Sequence, residues 1–150
     1  MSFEEKSTWV ATVVSVLVAG FYSSFILGQL RSVPVAEIEY QWPLIASIGA
    51  MIAITIVGTI VMSIGTAISA EISGSGSVKE IDRTDERDTH INRRGELVGY
   101  YISSTCGLGV LALAMLRFDQ FWIANALYLS FVVGGFVSSV VKLVAYRRGF

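Results

Sequence analysis

Residues 9–30 read W-V-A-T-V-V-S-V-L-V-A-G-F-Y-S-S-F-I-L-G-Q-L, a run whose only ionisable side chain is Tyr22. Coiled as a helix, it is long enough to cross roughly 30 Å of hydrocarbon. A surface helix of a soluble domain interrupts its apolar stripe with a polar face at every turn, and this run does not. Three similar runs follow at about 43–70, 97–116 and 121–146. The bulk composition agrees: of 150 residues, 53% are hydrophobic and only 15% charged, against about 45–50% and about 25% in ordinary soluble domains. The expected fold is an all-α integral membrane four-helix bundle forming a single membrane domain over 1–150.

The N-terminal sequence M-S-F-E-E-K-S-T is acidic and lacks a basic leader, so the first run is expected to be a retained span rather than a signal peptide. Ser7 or Thr8 is the expected cap of its helix. Pro34 forbids a continuous helix across 31–42, which reads as a loop. Tyr40, Trp42 and Pro43 then mark a membrane interface and a helix start. Residues 71–79 contain S-G-S-G-S and read as a flexible linker, because the lysine and strand context of a phosphate-binding loop are missing. The four residues 117–120 leave room only for a tight turn, which makes spans three and four a hairpin.

Each span carries small residues at intervals of four. They are Ala11, Ser15, Ala19 and Ser23, with a neighbouring row at Gly20, Ser24 and Gly28; Thr55, Thr59, Ser63 and Ala67; Gly99, Ser103 and Gly107; and Ala126, Ser130, Gly134 and Ser138, a row that continues to Lys142. Such rows let helix backbones approach closely in lipid, and the expected result is a compact bundle, packed with further copies of itself or with another protein.

The charged residues are concentrated in 79–96, K-E-I-D-R-T-D-E-R-D-T-H-I-N-R-R-G-E. Lys6, Lys79, Arg83, Arg87, Arg93, Arg94, Lys142, Arg147 and Arg148 flank one side of the four runs, and Arg31 and Arg117 the other. The positive-inside rule therefore places both termini and the charged segment 71–96 in the cytoplasm. The net charge of -1, from 11 basic and 12 acidic residues, provides no global field for nucleic acid. Cys106 is the single cysteine, so no intrachain disulfide is possible, and its apolar setting makes it an expected packing residue. No catalytic pairing such as H-E-x-x-H or C-x-x-C occurs, and no carboxylate lies within a span. Neither an enzyme nor a cofactor is expected. Asn125, a turn inside span four, is expected to hydrogen-bond between helices, and Tyr100 and Tyr101 to form an interfacial belt.

A helix is expected from about Thr84, capped by Thr84 or Asp85, with acids in its first turn and arginines later, as the helix dipole prefers. At 100° per residue Asp85, Asp88, Asn92 and Glu96 form one stripe, and Arg83, Arg87, His90 and Arg94 lie nearly opposite, with Ile91 beside them. Gly95 is a candidate break. The two-signed helix has three readings: a solvated extension whose arginines meet anionic headgroups, a docking surface built from Arg83, Asp85, Glu86, Arg87, Asp88, His90, Asn92, Arg94 and Glu96, or a divalent-cation site centred on Asp85 and Asp88, with Asn92 and either His90 or Glu96 as further ligands.

The pattern Asp85-Glu86-Arg87-Asp88, Ile91, Arg94-Gly95-Glu96 and Tyr100-Tyr101 resembles the signature that precedes the third span in small bacterial four-span membrane proteins of unknown function. It departs from that signature at Thr89-His90. The resemblance implies the four-span layout and a bacterial inner membrane, and it carries no activity. The expected function is that of a non-enzymatic interaction or regulatory component acting through residues 82–96, bound to the lipid bilayer and to a second copy or a membrane or cytosolic protein. The alternative is a transport or channel subunit in which several copies surround a path lined by serine, threonine and Asn125.

Overall fold

The computed structural model describes residues 3–72 and 86–148, apart from the side chains of residues 3, 66 and 69–72. The described residues form four long helices, α1 (Phe3–Leu30), α2 (Gln41–Ile72), α3 (Glu86–Met115) and α4 (Gln120–Arg148), with a short 3₁₀ turn at Val35–Glu37. Each of the four is long and apolar enough to cross a membrane. The S-G-S-G-S linker and the expected caps Thr84 and Asp85 lie outside the described residues.

α1 begins at Phe3, before the expected caps. Thr8 Oγ1 instead donates to the Glu4 carbonyl at 2.8 Å, and Thr12 Oγ1 to the Thr8 carbonyl at 2.7 Å. A threonine within a helix satisfies its hydroxyl on the carbonyl four residues back, so neither Ser7 nor Thr8 terminates this one. The 31–40 connection is more ordered than a plain loop: the 3₁₀ turn after Pro34 delivers Ile38 into a core with Ala19, Tyr22, Ile26, Phe121 and Tyr128. Pro43 sits in the first turn of α2, where its missing N–H has no helical acceptor to lose.

The helices pack in series, α2 on α1, α1 on α4 and α4 on α3. The arrangement is more open than the compact bundle expected, because α2 and α3 share no extensive contact. Outward positions of α2 such as Ile48, Ile52, Ile56 and Ile60 are aliphatic, and lipid tails solvate them as well as another helix would.

The closest approach is between α3 and α4. A Cβ on Gly99 would lie 2.8 Å from both the Gly134 carbonyl oxygen and Ser138 Cβ. One on Gly134 would run into Ser103 Oγ and come within 2.9 Å of the Gly99 carbonyl oxygen. Ser130 is buried and its carbonyl accepts from Ser103 Oγ at 3.4 Å. Gly107, expected in the same row, has no atom within 4 Å of where its Cβ would lie. The Gly20, Ser24 and Gly28 row of α1 also faces outward, with open space beside both glycines. Cys106 is exposed rather than packed. On α1, Ala19 is buried while Ser15 and Ser23 are half-buried; on α2, Thr59 and Ser63 are half-buried and donate to the Thr55 and Thr59 carbonyls.

α1 and α4 are joined by a polar contact at depth. Tyr22 Oη donates to Asn125 Oδ1 at 2.7 Å, and Asn125 Nδ2 donates to the Phe121 carbonyl at 2.8 Å. Both ends of the amide are thereby engaged, and the Tyr22 ring meets Tyr128 edge-on with centroids 5.0 Å apart.

The α3–α4 turn is closed by two reverse hydrogen bonds, Phe118 N–H to the Leu113 carbonyl and Arg117 N–H to the Ala114 carbonyl, both 3.1 Å. This double closure requires a left-handed residue after the helix, and Arg117 supplies it with a φ of 59°. A side chain with a Cβ is strained there by about 1–2 kcal/mol. Arg117→Gly should therefore stabilise the folded protein by about 0.5–1 kcal/mol after the greater freedom of glycine in the unfolded chain is set against it. Denaturant titration in micelles measures this, and a loss of stability would contradict the turn as described.

Candidate functional site

At about 1.5 Å per residue, the 30 residues of α3 extend about 45 Å, some 15 Å more than the hydrocarbon layer. The surplus is the charged head, Glu86 to Glu96. The start of α1 and the end of α4 lie at the same end of the molecule, since Glu4 contacts Asn92 and the Tyr146 carbonyl contacts Arg87. Lys6, Arg87, Arg93, Arg94, Lys142, Arg147 and Arg148 belong to this end, and Arg31 and Arg117 to the other.

The helix does not break at Gly95. It continues because glycine is the residue that admits the Lys142 side chain: a Cβ at this position would meet Lys142 Cγ and Cε and lie 3.0 Å from the Ser138 carbonyl oxygen. The Lys142 stem crosses α3 there and its Nζ donates to Glu96 Oε1 at 3.3 Å. One turn nearer the N-terminus, Asn92 Nδ2 donates to Glu4 Oε2 of α1 at 3.2 Å. Glu4, Ser7, Thr8, Asn92, Glu96 and Lys142 thus line a polar crevice of about 200 Å³ that ties three helices together. The Lys142 side chain is 16% exposed and that of Glu96 70%. Ion pairs this open to water contribute little by charge alone, roughly 0–1 kcal/mol; the buried lysine stem contributes through packing as well.

The opposite flank of the head is basic and faces away from α1. Arg87, His90, Arg93 and Arg94 are exposed, while Ile91 beneath them is 4% exposed. With Leu97 and Ala145 of α4 they border a depression of about 620 Å³. Arg87 Nη2 donates to the Tyr146 carbonyl at 3.4 Å, and the Arg147 guanidinium stands 5.9 Å from the centre of the Trp9 ring.

The two stripes thus meet different neighbours. Asn92 and Glu96 are taken up by the polar crevice, Asp88 is buried, Glu86 is exposed in the first turn, and the basic residues remain outside. Arg83 and Asp85 lie outside the described residues. Among the described residues no three His, Cys, Asp or Glu side chains converge, and His90 stands on the flank opposite Asn92. Tyr100 and Tyr101 are exposed, edge-on to one another with centroids 5.9 Å apart, where α3 leaves its charged head.

Sequence reasoning missed the crevice partners. The sequence alone marks Lys142 only as the end of the span-four row and assigns Glu4 no contact. The available signal was the Ser130, Gly134, Ser138 row, which runs on to Lys142 and so places it on the face that meets α3. The chain matches no family model, and no curated protein or solved structure shows significant similarity to it.

Proposed function

We propose that the chain is a non-enzymatic, multi-pass component of a bacterial inner membrane that makes its working contact through the charged segment ending at Glu96. The reading rests on one observation: α3 turns Asp88 and Asn92 toward the neighbouring helices and leaves Arg87, His90, Arg93 and Arg94 exposed around a depression. The contact is regulatory or structural, with both termini and the head of α3 in the cytoplasm. The positive-inside rule supports that orientation, because the basic residues gather at the end of the molecule that holds the head. The D-E-R-D resemblance supports the bacterial membrane. In the competing reading, several copies form a transport path; the Thr59, Ser63 and Asn125 side chains that would line it are engaged in hydrogen bonds within the chain.

The test is combined replacement of Arg87, Arg93 and Arg94 by glutamine in the full chain, followed by in-membrane cross-linking and co-purification. Asp88 is left intact because it is buried, and its loss would confuse folding with contact. Self-association or partner recovery should fall about tenfold or more while membrane insertion is unchanged, since rim charges set recognition rather than fold. Unaltered oligomer size together with unaltered partner recovery would sink the proposal.

A further inference from the structure

Resting on the reading that the basic flank of α3 is the contact face, we infer that its ligand is the phosphate headgroup of an anionic phospholipid of the surrounding leaflet. Three features select that chemistry. Arg87, His90, Arg93 and Arg94 supply donors on one flank, and guanidinium forks match phosphate oxygens with paired hydrogen bonds. The depression changes character where the helix enters its apolar part: Arg87, His90, Arg93 and Arg94 occupy the outer two turns of its α3 wall, Ile91 and Ala145 line it between them, and Leu97 follows at its inner end. A phospholipid has the same gradient, with charge outermost and hydrocarbon within. The depression, about 620 Å³, is also of the size that small amphipathic molecules occupy, about 300–1,000 Å³.

A soluble phosphate would use the arginines and leave Leu97 and Ala145 without a partner. An acidic protein segment would need no apolar floor at the depth where the span starts. Clusters of basic residues at the cytoplasmic edge of a span attract anionic lipid at about fivefold in affinity per residue.

The experiment uses the full chain in mixed micelles, titrated with phosphatidylglycerol or with phosphatidylcholine and read by native mass spectrometry of retained lipid. Arg93→Gln with Arg94→Gln is the test variant, and Arg31→Gln with Arg117→Gln, at the opposite end, is the control. Preferential retention of phosphatidylglycerol, weakened about 25-fold in the test variant and unchanged in the control, is the expected result. The unfolding midpoint of the test variant should stay within about 2 °C of the parent chain's, because both arginines are exposed and substitutions at exposed positions change stability little.

Equal retention of the two lipids by the parent chain would overturn the inference. So would displacement of phosphatidylglycerol by inorganic phosphate at comparable concentration, which would identify a phosphate site rather than a lipid site. If the test variant keeps its lipid but loses self-association or partner recovery, the flank binds protein: the contact reading stands and the lipid inference falls. If neither lipid retention nor association changes, both fall.

Discussion

Gly134→Leu should lower the unfolding free energy of the folded chain by about 3 kcal/mol or prevent α3 and α4 from pairing altogether. A Cβ alone at position 134 would strike Ser103 Oγ and lie 2.9 Å from the Gly99 carbonyl oxygen and 3.1 Å from Ser103 Cβ. The carbonyl belongs to the helix backbone and cannot turn aside as a long side chain does. Overpacking a close-fitting interior costs about 1–3 kcal/mol, and leucine adds three carbons beyond that first atom. The effect falls on the most extensive helix pair in the molecule.

Denaturation in mixed micelles, followed by circular dichroism, measures the loss. Two companions make the result specific. Gly107→Leu should be close to neutral, because nothing lies within 4 Å of the position its Cβ would take. Ser103→Gly should restore part of the stability lost in Gly134→Ala, since it removes the hydroxyl while leaving the Gly99 carbonyl in place. A Gly134→Leu protein as stable as the parent would mean that α3 and α4 do not meet as described.

Lys142→Glu is expected to have the next largest effect, a loss of about 2 kcal/mol. The side chain is 16% exposed and shares a crevice with Glu4 and Glu96. Reversing its sign would leave three carboxylates there with no cation among the residues that line it. Breaking a fully buried pair costs about 3–5 kcal/mol; the expected loss is smaller here because Glu96 is 70% exposed and solvent screens it, and it comes from the new repulsion and the lost packing of the lysine stem. The loss should diminish at high salt, as repulsion between partly exposed charges is screened over about 10 Å or less. Adding Glu96→Lys should recover part of it by restoring an opposite pair. If Lys142→Glu proves neutral at low salt, the crevice does not join the three helices.

The four spans were legible in the sequence because lipid imposes one overriding requirement, an unbroken apolar run with its backbone satisfied internally. The α3–α4 contact was legible in part. Rows of small residues named Gly99, Ser103, Ser130, Gly134 and Ser138, which lie at the helix crossing, but also Gly107, Gly20 and Gly28, which face open space. A row states that a close approach is permitted; which approach occurs depends on the crossing angle and on the neighbour, and spacing contains neither.

Gly95 illustrates the same limit. On propensity it is a break, yet the helix passes through it because the Lys142 stem occupies the space its missing side chain leaves. The division of the charged helix into two flanks was visible from helical periodicity alone. Which flank would meet the neighbouring helices was not, because Asn92 and Glu96 find their partners only once Glu4 and Lys142, distant in sequence, are brought beside them.

Thiol labelling along the head of α3 tests that division most directly. In a Cys106→Ser background, single cysteines are introduced in turn at His90, Ile91, Asn92, Arg93 and Arg94, and their rates with a membrane-impermeant maleimide are compared. Fast labelling is expected at positions 90, 93 and 94 and labelling about tenfold slower at 91 and 92, following burial around the helix. A uniform rate across all five positions, or fast labelling at 91 and 92 with slow labelling at 93 and 94, would contradict the division.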